Sequence, residues 1–182
     1  MSDLTIRVES LSKLYRKRDI AFQPDPELIR SLRPHVQRKI YSYDTPEILQ
    51  SPPQELPKVP SYLGMDYTNN MGLRMKEDVG PKDRGVRRIL FLGDSYTEAE
   101  GVPDEQRFYQ LIQQSLDAQR NGTERWQVIN AAIQNGTPSQ YILQLRRYLA
   151  QFQPDIVVAF IAPNDVSDDF SFEHRCRAQK DE

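Results

Sequence analysis

A serine hydroxyl becomes a nucleophile only in company. It needs a base to take its proton and fixed donors for the negative charge that develops on an attacked carbonyl. Ser95 is the candidate nucleophile of this chain. It closes the stretch Ile89-Leu90-Phe91-Leu92-Gly93-Asp94-Ser95, an apolar run ending in turn formers. Such a run reads as a buried strand whose carboxyl end delivers the serine into a tight turn, where open α/β sheets keep their sites. Two other stretches occupy equivalent places. Asn130-Ala131-Ala132-Ile133-Gln134-Asn135-Gly136-Thr137 follows a second apolar run, Trp126 to Asn130, and Ala162-Pro163-Asn164-Asp165 follows a third, Ile156 to Ala162. By itself Gly93-Asp94-Ser95 also reads as a plain turn. Convergence of Ser95, the Asn135–Gly136 loop and Asn164 on one face of a parallel sheet favours chemistry over that reading.

The elements that must position these residues are legible from periodicity. Between the first two apolar runs a helical pattern extends from Asp104 to about Arg120, with Phe108, Leu111, Ile112, Ser115 and Leu116 on one stripe and Asp104 and Glu105 at its amino end. Between the second and third, Thr137-Pro138-Ser139-Gln140 fits a capping box with proline at the first helical position, opening a helix from Pro138 to Phe152. Ile142, Leu145, Leu149 and Phe152 form its expected apolar stripe. Short apolar runs alternating with amphipathic helices predict β-α-β-α-β with parallel strands. The expected organisation is an amino-terminal segment over 1–21, a proline-rich arm and lead-in loop over 22–86, and the α/β unit over 87–182. Prolines at 24, 26, 34, 46, 52, 53, 57 and 60 allow only short elements in the arm; Pro26 to Arg30 suits a single helical turn or an ordered loop.

Composition excludes several classes. The chain has 182 residues, 24 Lys plus Arg against 26 Asp plus Glu, and so no field that would gather nucleic acid or an anionic membrane. No run approaches the roughly 18 apolar residues of a membrane span, and Met1 to Ser10 lacks the order of a signal peptide, so the sequence as written reads as cytoplasmic. Cys176 has no partner cysteine, and His35 and His174 stand far apart, so neither a disulfide framework nor a metal centre is expected, and no cofactor. Residues 1 to 16, with Tyr15, resemble the opening strand of ATP-binding subunits of polysaccharide exporters. No phosphate loop of the form G-x-x-x-x-G-K-[ST] follows, so nucleotide binding is not expected.

The order of blocks from Arg88 to Phe170 resembles the SGNH, or GDSL-type, hydrolases. The resemblance implies a flavodoxin-like, three-layer α/β/α fold with a parallel sheet, of which the first three strands are present, and activity on carboxylic esters. It implies that Ser95 is the nucleophile and gives one oxyanion N–H. The N–H of Asn135 or Gly136 gives a second, and the Asn164 side-chain amide a third. Asn70-Met71-Gly72-Leu73-Arg74 and Gly101-Val102-Pro103 look like features of a bacterial subgroup often found near polysaccharide genes, which points to O-acyl groups of carbohydrate as substrate. Three departures stand out. Asn135 takes the place of the second block's glycine, with Gly136 one position later. Ala162-Pro163 replaces the glycine before Asn164. The family's base comes from an Asp-x-x-His block after two further strands, whereas His174, the candidate base here, is preceded at that offset by Ser171. Ending after the third strand is expected to leave the apolar edge Ile156 to Ile161 exposed, favouring self-association, and to impair the enzyme or reduce it to a binding module.

Overall fold

The computed structural model describes residues 22–42, 61–99, 101–120 and 124–170. Residues 1 to 16, His174 and Cys176 lie outside them. The apolar run at Ile89 to Leu92 forms the centre of a parallel sheet, flanked by the second and third runs. Strand β5 spans Val86–Leu92, β6 Arg125–Asn130 and β7 Ile156–Ala159, in the order β6-β5-β7. Phe91 pairs with Asn130 on one side and Leu92 with Ala159 on the other, so all three strands finish at one edge. Leu90, Phe91 and Leu92 are all buried, the mark of a strand covered on both faces.

Two helices make the crossovers. Helix α2 (Phe108–Ala118) connects β5 to β6 and α3 (Pro138–Phe152) connects β6 to β7; α1 is the single turn Ser95–Glu98. The connections run to opposite sides of β5, so right-handed crossovers put α2 and α3 on opposite faces. On one face Phe91 meets Phe108 edge-on at 5.2 Å and stacks on Phe160 at 5.9 Å. In α3, Tyr148 stacks on Phe152 at 4.8 Å. This is an α/β architecture with a three-stranded parallel sheet, as expected.

Details differ from the sequence pattern. The first helical stretch is broken: Asp104–Gln106 forms a 3₁₀ turn, Arg107 is extended, and α2 starts at Phe108. The physical reason is Arg107, whose fully buried guanidinium is drawn inward by Asp66 and Asp104. In α3 the buried face is Tyr141, Gln144, Tyr148 and Phe152, while Ile142 and Leu149 are exposed. Tyrosines with bonded hydroxyls fill the core here, which a purely aliphatic stripe does not register. Only half of the capping box forms. Thr137 accepts from the Gln140 N–H at 3.4 Å, but the Gln140 side chain reaches the Leu28 carbonyl instead of turning back.

The arm holds only short elements, as its prolines require, and these are strands; of Pro26 to Arg30, residues 26–28 form a turn and Ile29 and Arg30 open a strand. Strand β1 (Phe22–Asp25) pairs antiparallel with β2 (Ile29–Leu32), and β3 (Gln37–Ser42) with β4 (Ser61–Tyr67). Pro24 fits because a two-stranded ribbon has open edges that need no N–H. Asp25 caps the turn by accepting from the Glu27 and Leu28 N–H groups. The arm is fastened to α3: Arg147 holds Asp25 through two bonds of 2.7 and 2.8 Å and Glu27 through a third, and Leu28 is buried.

Candidate active site at the strand ends

Gly93 opens the turn after β5, and a Cβ there would run into the Thr97 side chain. Asp94 caps α1 by accepting from the Tyr96 N–H at 3.0 Å, and its carbonyl accepts from Glu98 at 2.8 Å. Ser95 is thus the first residue of a one-turn helix, where an N–H has no acceptor within the helix. It is half-buried, and its hydroxyl bonds to no side chain among the described residues. The turn stops at Ala99, held left-handed at φ 59°.

Fully buried Asn130, at the end of β6, donates to the Thr97 carbonyl at 2.9 Å and accepts from the Ala132 N–H, joining the second loop to α1. In that loop Asn135 is left-handed, with φ 52°. This is the conformation a glycine would occupy without strain, and asparagine is among the few side chains that tolerate it. The Gly136 N–H is engaged by the Ile133 carbonyl at 2.8 Å. A Cβ on Gly136 would lie 2.8 Å from the Gly93 carbonyl oxygen, so the two loops touch through backbone.

After β7 the chain turns at Ala162 to Asp165 and is helical over 165–170. Asn164 Nδ2 donates to Asp94 Oδ2 at 3.2 Å and to Asp168 Oδ2 at 2.8 Å. The third loop is thereby in direct contact with the residue next to Ser95. Buried Asp165 accepts from the Ala162 N–H at 2.8 Å and from the Tyr141 hydroxyl at 3.1 Å. That hydroxyl also lies 3.2 Å from the Gly136 carbonyl, so Tyr141 spans the second and third loops. Burial, reinforced by the Asp165 carboxylate, pushes the Tyr141 hydroxyl far up, and it stays a neutral donor. Asp169 accepts from the N–H and the hydroxyl of Ser139. Burial raises its carboxyl, but these bonds and one from Thr137 outweigh that and hold it below the usual range.

Behind α1 lies a cluster of buried charges. Arg74 binds Asp66 at 2.6 Å and stands 3.7 Å from Glu98; Arg107 binds Asp66 at 3.0 Å and Asp104 at 3.0 Å. Tyr109 accepts from Arg107 and donates to the Arg74 carbonyl. Glu98 belongs to the Ser95 helix and Arg74 to the lead-in loop, so the cluster joins the two. The lead-in is itself tightly folded: Asn69 Oδ1 accepts from the Met71 and Leu73 N–H groups, and Gly72 is left-handed at φ 70° with no room for a side chain against the Leu32 carbonyl.

The structure therefore brings Ser95, Asn135, Gly136 and Asn164 to the β5–β7 end of the sheet, where the strand order reverses. It does not bring His35 there. That residue sits exposed in the turn between β2 and β3, its N–H on the Asn69 carbonyl. Tyr141, Asp168 and Asp169 were not singled out from sequence. Nor does any spacing rule separate Asp165, a bracing carboxylate, from a solvated one. Among the described residues no group of histidine, cysteine or acidic side chains is arranged to hold a metal ion.

An α/β sheet with a serine at its switch point defines the class. The model of the GDSL-like lipase/acylhydrolase family matches residues 89–182, just over half of the chain. The chain belongs to that family. Among solved structures it is similar to TesA, at 30% identity with a TM-score of 0.40, and to the psychrotrophic esterase EstA from Pseudoalteromonas sp., crystallised with monoethylphosphonate as inhibitor, at 30% identity with a TM-score of 0.38. Each match covers 43% of this chain and 42% of the other, so the chain spans about two fifths of the length of these relatives. No curated protein matches it. No helix of the described residues is long and apolar enough to cross a membrane.

Proposed function

We propose that this chain carries the nucleophile and oxyanion part of a serine ester hydrolase. Ser95 attacks the carbonyl of a carboxylic ester, and the negative charge is held by the Ser95 N–H, the Asn135 N–H and the Asn164 amide. The observation that carries this reading is the 3.2 Å bond from Asn164 to Asp94, which joins two sequence-distant loops beside Ser95. Asn135 is favoured over Gly136 because the Gly136 N–H already has an acceptor. O-acyl groups of carbohydrate are the proposed substrate class, on the resemblance of Asn70 to Arg74 and Gly101 to Pro103 to a bacterial subgroup often found near polysaccharide genes.

The proton acceptor is supplied from outside the described residues, either by His174 or by a further segment bearing an Asp-x-x-His block. Without it turnover is impaired, because removing the base from such a centre leaves only residual catalysis. Hydrolysis of p-nitrophenyl acetate tests the reading. The wild type, given imidazole or an Asp-x-x-His segment as base, is expected to exceed a Ser95→Ala control treated alike. Equal rates would overturn it. A second reading, a non-catalytic module that binds carbohydrate or a protein on this face, is favoured by the exposed apolar edge of β7. Glycan binding with equal rates in the two proteins would support it.

A further inference from the structure

We propose that Asp168 is a positioning residue for Asn164, fixing which end of its carboxamide faces Ser95; this rests on Asn164 being an oxyanion donor. A carboxamide can present either nitrogen or oxygen to a site, and only its hydrogen-bond partners decide which. Here both partners are carboxylates, Asp168 at 2.8 Å and Asp94 at 3.2 Å. Ionised carboxylates only accept, so the flipped amide would set its oxygen against two negative oxygens. The nitrogen must therefore face the Ser95 turn.

The two bonds are not equivalent. Asp94 is already occupied on its other oxygen by the Tyr96 N–H, and its 3.2 Å bond is at the long end of the range. That hydrogen is the one to be released to an oxyanion developing beside Ser95. Asp168 keeps the shorter bond and stands one helical turn from Asn164, its N–H on the Asn164 carbonyl at 3.0 Å. Its backbone is held on both sides, by Asp165 on Tyr141 and by Asp169 on Ser139. Of the three acidic residues on this helical turn, Asp168 is the one whose partner is Asn164. A negative charge near an oxyanion is electrostatically unfavourable, so the contribution of Asp168 is geometric, and a neutral acceptor of the same shape should supply it.

The test measures the rate at which a fluorophosphonate modifies Ser95 in the full chain with imidazole present, alongside the side-chain amide resonances of Asn164 in ¹H–¹⁵N spectra. Losing one oxyanion donor costs about 10²–10³-fold. Asp168→Ala, which frees the amide to turn, is expected to slow modification by at least about 10-fold, and Asp168→Asn to recover most of that. Asn164→Ala combined with Asp168→Ala should be no slower than Asn164→Ala alone, because a residue acting through another has no effect without it. In the spectra the Asn164 amide protons exchange slowly with solvent in wild type and Asp168→Asn, and rapidly in Asp168→Ala. Unchanged exchange in Asp168→Ala, additive losses in the double variant, or no recovery in Asp168→Asn would overturn the proposal. If Ser95 is unmodified in every variant, the ester-hydrolase reading fails, while the amide exchange still decides the role of Asp168.

Discussion

Asn135 and Gly136 carry the sharpest single-residue expectations, because each sits where the backbone constrains the side chain in a different way. Asn135 is left-handed, a conformation that costs most L-residues about 1–2 kcal/mol and asparagine less. Asn135→Ala is therefore expected to lower stability by about 1 kcal/mol in urea titrations, while Asn135→Gly should be neutral or slightly stabilising. At Gly136 the constraint is space. A methyl group would press on the Gly93 and Ile133 carbonyls, so Gly136→Ala displaces the loop that leads into Ser95. Its expected signature is a loss in Ser95 reactivity greater than the loss in stability. At this scale Ser95, the Asn135–Gly136 loop and Asn164 were legible in the sequence, since each follows an apolar run. Asp168 and Tyr141 were not, because their importance lies in partners 4 and 24 residues away that only the fold selects.

The elements are held in place chiefly by polar contacts that sequence periodicity cannot see. Arg74, Asp66, Arg107 and Glu98 are all almost completely buried and come from four segments. Breaking such a set by removing one member typically costs about 3–5 kcal/mol, because another charge is left without compensation. Arg74→Met should lose stability on that order, and Arg74→Met with Glu98→Leu should lose less than the two single changes added together, as denaturant titrations would show. The same cluster explains why α2 starts at Phe108 and not at Asp104: the pull on Arg107 overrides the helical pattern. The arm is held by Asp25, whose carboxyl the Arg147 guanidinium keeps well below the usual range, against the opposing effect of burial. Since the folded value is depressed, the stabilisation is complete above the ordinary carboxylate value near pH 4 and is lost as pH falls further. Melting temperature is expected to drop below about pH 4, less steeply in Asp25→Asn than in wild type. The β-α-β-α-β order was readable because its strands are short apolar runs. The arm's hairpins were not, because its prolines fixed only that its elements are short, and not which of them pair.

For the molecule as a whole, the decisive feature is the side of β7 away from β5. No strand among the described residues pairs with that edge, and Ile156 and Val157 in β7 and Ile161 just after it are exposed. Exposed apolar edges template pairing with another strand. We expect wild type to sediment as larger species with rising concentration and Val157→Lys to remain monomeric; a wild type that stays monomeric throughout would remove the edge as an association surface. The three strand ends that this sheet gathers are also what the proposed chemistry depends on. Ser95 can act as a nucleophile only if β5, β6 and β7 deliver their loops to one place. The most direct measurement is the mass of the chain after treatment with a fluorophosphonate in the presence of imidazole, followed by identification of the modified peptide. The account predicts a single adduct on Ser95 that disappears in Asn164→Ala at matched times; an unmodified chain, or an adduct elsewhere, would contradict it.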